Sequence, residues 1–552
     1  MSNFAVTNLK TNEPIIKMAS IFDNTSLFFH TIIHLRPIQI YYRIFYKIRA
    51  IFRTITDFKY PQFKTVKSYP ITLKPSIPSN QSYYLEENRF CFLNQSQVFD
   101  PHQINWNDEQ TFGKLWAYNL NYFEFLNQEN LTQTQGITLI RTYIQAYSNL
   151  KTGLEPYPIS LRNINWIKFL SKYQIQDTEI DGFLMAQYVR LIDNLEYHLM
   201  GNHLLENAFS LLFGAYYFRN NQLFNTANKI LKTELSEQFL DDGGHFERSP
   251  MYHQIMLFRM LDCWNLTENN SAFKSVSKNE VSFKLIEKSL SFLQNITFKN
   301  GDIPLVNDAA RNIAPNTKQL MKYANLLNVK GSEFNLSESG YRKFNKSNYE
   351  LLVDVGNIAP DYLPGHAHAD TLSFVLYVNQ KPFIVDTGTS TYQNNEIRQS
   401  ERSNLAHNTV QIGNFEQSEM WSSFRVGRRA KANIISEDKH QIIASHDGYK
   451  RFGIIHRRTF ITNNQCITIE DELMGETKYP QKAYLHFHPN VELKIEENII
   501  KTNLGNITFE NLIRITENNY SISEEFNVRI SSKMITLFFN KKLTAIINFQ
   551  PP

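Results

Sequence analysis

The sequence predicts a multidomain protein in which helices come first and strands second. Three observations carry this. The chain has 552 residues, too many for one ordinary core. From about residue 105 to 330, apolar residues recur at spacings of three and four, the helical period. After about residue 345 the period changes to two, in short β-rich runs separated by turn residues. Helices followed by strands exclude an alternating α/β fold.

Residues 1–100 form an N-terminal helical arm and connector. The opening MSNFAVTNLKTNEPIIKMAS lacks the basic, apolar and cleavage regions of a secretory signal. A cytoplasmic location is therefore expected, and three dispersed cysteines (Cys91, Cys263, Cys466) with no disulfide or metal pattern suit it. In the stretch 26–53, Arg36, Pro37, Arg43, Lys47, Arg49 and Arg53 interrupt the apolar content, which excludes a transmembrane helix. Two readings stand: an amphipathic helix on an anionic membrane, peripheral to the inner membrane, or a helix whose apolar face packs on the body. Residues 60–100, rich in Pro, Ser, Asn and Gln, read as an extended connector.

Residues 101–340 carry helical segments such as GFLMAQYVRLIDNLEYHLM and NHLLENAFSLLFGAYYFRN, joined by short polar loops as antiparallel neighbours would be. Several are apolar on more than one face, so helices packed on two sides are expected. Residues 341–552 hold ELLVDVGN, TLSFVLYVN, CITIEDEL and KAYLHFHP, the pattern of an antiparallel β-sandwich. Composition agrees with a globular chain: 42% hydrophobic, 20% charged. The net charge of +4 is compatible with an anionic polymer as substrate and does not require one. Gly-rich phosphate loops, zinc-finger cysteine pairs and a nucleophile elbow are missing, so no nucleic-acid partner is expected.

Four places carry candidate chemistry. In GNHLLEN (201–207), Asn202, His203 and Glu206 share one helical face, either as a functional face or as a polar capping turn. In DDGGHFERSPMYHQ (241–254), Ser249 and Pro250 suit a helix start, which puts Tyr252 where the dipole could stabilise a phenolate; the alternative is a surface Tyr and His on an amphipathic helix. GDIPLVNDAA (301–310) is a loop with Asn307 and Asp308 at its tip. In PGHAHADTLSFVLYV, His366 and His368 enter a strand two apart and so share a face. His368, Asp386 and His407 are ordinary zinc ligands by type; alternatively these are strand-end histidines facing solvent.

Taken together, NHLLEN, FERSPMYH, VNDAA, GHAHADTLSFVLYVNQKPFIVDTGTSTY and RSNLAHNTV resemble the heparinase II/III-like polysaccharide lyases, with LWAYNLNYFEFL and PYPISLRNINWIKF adding to the match. The resemblance implies an (α/α) toroid followed by a β-sandwich, and β-elimination at a uronic acid in the cleft between them. It implies that Asn202 and His203 neutralise the uronate carboxylate, that Tyr252 serves as base, acid or both, and that His366 stands on the other side of the sugar ring. It assigns His368, Asp386 and His407 to a structural zinc. Substrate contacts are expected from Glu206, Arg162, Asn163, Trp166, Arg248 and Asn307. The implied partner is an acidic polysaccharide, glycosaminoglycan-like or a bacterial capsule polymer. Two rivals remain: a hydrolase using two of Glu206, Asp242, Glu247 and Asp308, and a non-catalytic polysaccharide-binding or assembly protein.

Overall fold

The computed structural model describes residues 25–100, 103–274 and 281–549. Its helical part is a toroid of antiparallel hairpins, running from Lys114–Tyr122 to Thr317–Leu326. Helix starts follow their caps: Thr132 and Gln135 form a capping box, and Asp177, Asn220, Ser249 and Ser282 each accept a backbone N–H. The helix Gly201–Phe218 is buried along its whole length except at His203. In Pro156–Lys172 only Pro156, Tyr157 and Lys172 escape burial. This is the two-sided packing that apolar residues on several faces require.

The β part begins at Tyr341 and is antiparallel throughout its named sheets. A four-stranded sheet runs in sequence order through Tyr341–Asn345, Tyr349–Asp354, Phe374–Val378 and Lys381–Ile384. It is the middle layer of the molecule. Leu352, Val375 and Tyr377 join the helical core, whereas Leu351, Val353, Phe374 and Leu376 join the core shared with the larger sheet. Both faces are covered, so YELLVD and FVLYV are buried at every position and do not alternate. The larger, ten-stranded sheet is organised around Ile530–Phe549. One half of that strand pairs with Cys466–Met474 and the other with Gln481–His486, while Gly505–Ile522 runs along its far side.

Two expectations need correction. The connector is not extended throughout: Tyr83–Tyr84, Arg89–Phe92 and Gln95–Val98 form a small sheet. Leu93 and Asn94, at φ 54° and 60°, make its two-residue turn, and Phe90 and Phe92 enter the toroid core. The arm helix Pro37–Ile55 does not pack its apolar face on the body; its polar face does so.

Candidate active site

Asp308 is the hub where helical and β parts meet. It is completely buried, and Arg398 donates to both its oxygens, at 2.5 and 2.7 Å. His366 Nδ1 lies 2.8 Å from Oδ2, and His368 Nε2 lies 3.0 Å from Oδ1. Burial alone would raise this carboxyl, but Arg398 and the two imidazoles hold it well below the usual carboxylate range. His366 and His368 therefore converge, though not on a strand as expected. The strand starts only at Phe374, and both histidines sit in the loop before it.

With Nδ1 committed to Asp308, His366 keeps Nε2 for chemistry; that atom lies 3.6 Å from Glu247 Oε2. Glu247 is buried and accepts from the Asn202 amide at 3.0 Å on both oxygens. Gly201 allows this approach: a Cβ there would meet Leu363 at 2.1 Å and Glu247 at 2.8 Å. The Tyr252 ring stacks on His366 with centroids 4.0 Å apart, and its hydroxyl is 3.3 Å from that of Tyr392. A pyranose cannot enter a 4.0 Å stack, so the two residues stand side by side and do not flank the sugar. The phenol also differs from expectation. Although Ser249 caps the helix, burial, followed by Tyr392 and the Asp308 and Glu247 carboxylates, pushes Tyr252 well above its ordinary pKa. The resting group is a phenol, not a phenolate.

His203, the one unburied residue of its helix, has Nδ1 3.0 Å from Glu196 Oε1 and its ring 4.6 Å from that of Tyr157. Burial pushes its imidazole down, but Glu196 outweighs this and the pKa is raised. A protonated His203 thus offers Nε2–H as a donor.

His368, Asp386 and His407 are buried and offer ligand atoms within 4.8 Å of one another. His407 Nδ1 lies 2.7 Å from Asp386 Oδ2. His368 Nδ1 and His407 Nε2 have no hydrogen-bond partner despite complete burial, which is costly unless something binds them. Burial lowers His368 to about 4, a neutral imidazole, whereas Asp386 outweighs burial at His407 and holds it above its ordinary value. Two nitrogens and a carboxylate oxygen fit a divalent transition metal.

The six expected substrate contacts lie elsewhere. Arg162 is buried, donating to the carbonyls of Asn121 and Gly153 and to Gln187. Asn163 is also buried, and Trp166 packs among Phe123, Tyr143 and Phe183. Glu206 accepts from Arg259 at 2.8 Å inside the toroid. Asn307 spends its amide on the Arg248 carbonyl, Tyr341 and the His368 N–H. Arg248 reaches the carbonyls of Asn357 and Glu338. Arg162, Glu206, Asn307 and Arg248 thus bond protein groups, whereas the Asn163 amide and Trp166 Nε1 are buried without a hydrogen-bond partner. Sequence reading missed Arg398, Tyr392, Glu196 and Tyr157; Tyr392 and Tyr157 lie in stretches that carry the resemblance, but only folding brings the four to this place.

The pattern described as "Heparinase II/III N-terminus" matches residues 157–331, and "Heparinase II/III-like, C-terminal" matches 329–547. A heparin-sulfate lyase of Bacteroides stercoris is 25% identical over 322 residues, covering 53% of this chain and 46% of the relative. A heparin-sulfate lyase of Bacteroides thetaiotaomicron is 24% identical over 358 residues, covering 56% and 48%. The chain thus spans about half the length of these relatives. Among solved structures, heparinase III superposes with a TM-score of 0.67 at 16% identity, covering 94% of this chain and 92% of the other. A Streptomyces coelicolor chondroitin AC lyase has a TM-score of 0.51 at 8% identity, covering 79% and 75%. The two matched patterns run in order over most of the chain, and the toroid and sandwich agree with them: this chain belongs to the heparinase II/III-like family.

Proposed function

We propose that this protein is a polysaccharide lyase that cleaves a hexuronate-containing acidic polysaccharide by β-elimination. The carrying observation is the stacked Tyr252–His366 pair, with Asp308 behind the imidazole. Asp308 accepts from Nδ1–H, so Nε2 bears the lone pair that takes the C5 proton. The C5–H electrons delocalise toward the uronate carboxylate, whose charge His203 meets with Nε2–H. They then form the C4–C5 double bond as the C4–O4 bond breaks, and the Tyr252 hydroxyl gives its proton to O4. A phenol held above its ordinary pKa suits the acid role and not the base role. Asn202, held by Glu247, positions the helix start that carries His203.

Because Tyr252 and His366 stand side by side, the reaction they serve removes a C5 hydrogen and a C4 oxygen from one side of the ring. That favours a glucuronate-type residue over its C5 epimer. The relatives named heparin-sulfate lyases support a glycosaminoglycan-like polymer, and a bacterial capsule polymer of the same uronate is chemically equivalent at this centre. His368, Asp386 and His407 would hold a zinc ion, which would serve structurally by tying the 366–370 loop to the strand-leading segment at His407. The hydrolase reading loses support because its candidate carboxylates are engaged. Arg259 takes Glu206, backbone N–H groups and Ser339 take Asp242, Asn202 takes Glu247, and Arg398 takes Asp308.

The test offers purified protein a panel of heparan sulfate, an unsulfated glucuronate–glucosamine polymer, chondroitin sulfate and bacterial capsular polysaccharides. An ultraviolet-absorbing unsaturated uronate is expected, and more from glucuronate than from iduronate segments. New reducing ends without that chromophore indicate a hydrolase. Binding with no cleavage of any polymer indicates a non-catalytic protein.

A further inference from the structure

The arm helix Pro37–Ile55 is turned inside out relative to an ordinary surface helix. Gln39 is its one buried residue, donating to the Leu199 carbonyl. Arg36 pairs with Glu237 and lies over the Tyr362 ring, and Tyr46 donates to the Leu195 carbonyl. Arg49 and Arg53 both reach Asp193. The polar face thus holds the protein. On the opposite side Tyr41, Ile44, Ile48, Ile51, Phe52 and Ile55 are each more than half exposed. Their spacings of three and four make one stripe along a helix about 28 Å long. The preceding helical segment adds Phe28 and Phe29, each at least half exposed.

An apolar surface this continuous marks a partner, and charge says which kind. Residues 25–56 contain five cations and no acid. Arg43 and Lys47 are exposed and make no ion pair among the described residues. A second copy would set one cationic rim against another, with no arm acid to pair them. An anionic lipid surface is complementary. Beside the stripe, a groove of about 520 Å³ between arm and toroid is walled by Tyr42, Phe45, Tyr46, Phe58, Tyr60 and Tyr197. Among the described residues no helix is long and apolar enough to cross a membrane, so the contact this geometry allows is peripheral.

We propose that the arm seats the protein on an anionic phospholipid bilayer. The isoleucine stripe enters the acyl boundary, while Arg43 and Lys47 meet the headgroups. The arm also braces both cleft walls. Tyr42 stacks on Tyr197 at 4.8 Å, next to Glu196, and Thr31 bonds Trp421, close in sequence to Phe424 beside His366. A bilayer-bound arm therefore holds the cleft close to the membrane.

The experiment is co-sedimentation of the full chain with vesicles of equal parts phosphatidylcholine and phosphatidylglycerol, against phosphatidylcholine alone. Strong, salt-sensitive partition into the anionic vesicles is expected. Arg43→Gln with Lys47→Gln should weaken it about thirtyfold. Ile44→Glu with Ile48→Glu and Ile51→Glu should abolish it; these side chains are exposed, so the circular dichroism spectrum and the polymer-cleavage assay in solution stay unchanged. Equal partition into both vesicles, or partition that survives the triple substitution, overturns the proposal. So does a wild-type dimer in sedimentation velocity that the triple variant dissolves, with no vesicle binding; that result gives the face to a second copy.

Discussion

Replacing Asp308 with Asn removes the one negative charge on which Arg398, His366 and His368 converge, and its cost can be worked from the contacts. Asn keeps one acceptor oxygen; its other terminal atom becomes an NH₂ facing donors. At least two charge-assisted hydrogen bonds are lost, at ~1.5–3 kcal/mol each, so the change costs ~3–6 kcal/mol. An independent route agrees: leaving a buried charge unpaired costs ~3–5 kcal/mol, and Arg398 is completely buried. Urea unfolding measures this directly. Adding Arg398→Met to the Asp308→Asn variant should recover most of the loss, since no guanidinium then stays uncompensated. The pH dependence has a definite sign. Asp308 is held well below its ordinary value of 3.8, so its contribution is present above that value and lost as pH falls through the lower folded one. Asp308→Asn should lack that acid limb. Its turnover should also fall by about 10⁴-fold, the size seen when a carboxylate orienting a catalytic imidazole is neutralised. A stability loss below ~1 kcal/mol, or no recovery in the double variant, would refute the hub.

Tyr252→Phe deletes a hydroxyl that contacts only Tyr392 among described side chains, so kcat should drop about 10²–10⁴-fold with unfolding unchanged; near-normal kcat would remove Tyr252 as the acid. His203 is held protonated above the ordinary imidazole value of 6.5 by Glu196, so its charge is present below that value and lost as pH rises through the raised one. The alkaline limb of kcat/KM should disappear in His203→Gln; if it persists there, another group owns it. Elemental analysis of protein never exposed to chelator should find about one transition-metal ion per chain, lost in His407→Ala together with thermal stability. His366→Ala should keep the metal and lose activity, and a wild-type protein without metal would remove the site.

Much of the fold was legible because period reports burial directly. Gly201–Phe218 is apolar on more than one face and is buried everywhere except at His203, and Ser249–Pro250 starts its helix where the cap predicts. The site was legible where chemistry sits in a local pattern, as in GNHLLEN, ERSPMY and GHAHAD. It was not legible for polar residues near the pattern, whose partners the pattern does not show. Arg162, Asn163 and Glu206 are buried polar residues on helices that are buried almost throughout, and a single chain does not say which buried side a polar atom serves. The arm shows the same limit: its amphipathic pattern was plain, but which face meets the body depends on Glu237, Asp193 and the carbonyls of 195 and 199, more than a hundred residues away.

By itself, the sequence determined the order of helical and β parts, the positions of the reactive residue types and the His–Asp–His set. The tertiary structure alone decided how they are wired. It put Asp308 between Arg398 and two histidines, laid Tyr252 flat on His366, and raised both the Tyr252 phenol and the His203 imidazole above their ordinary values. The physical reason is that burial and neighbouring charge set a side chain's protonation and partner, and both come from residues distant in sequence.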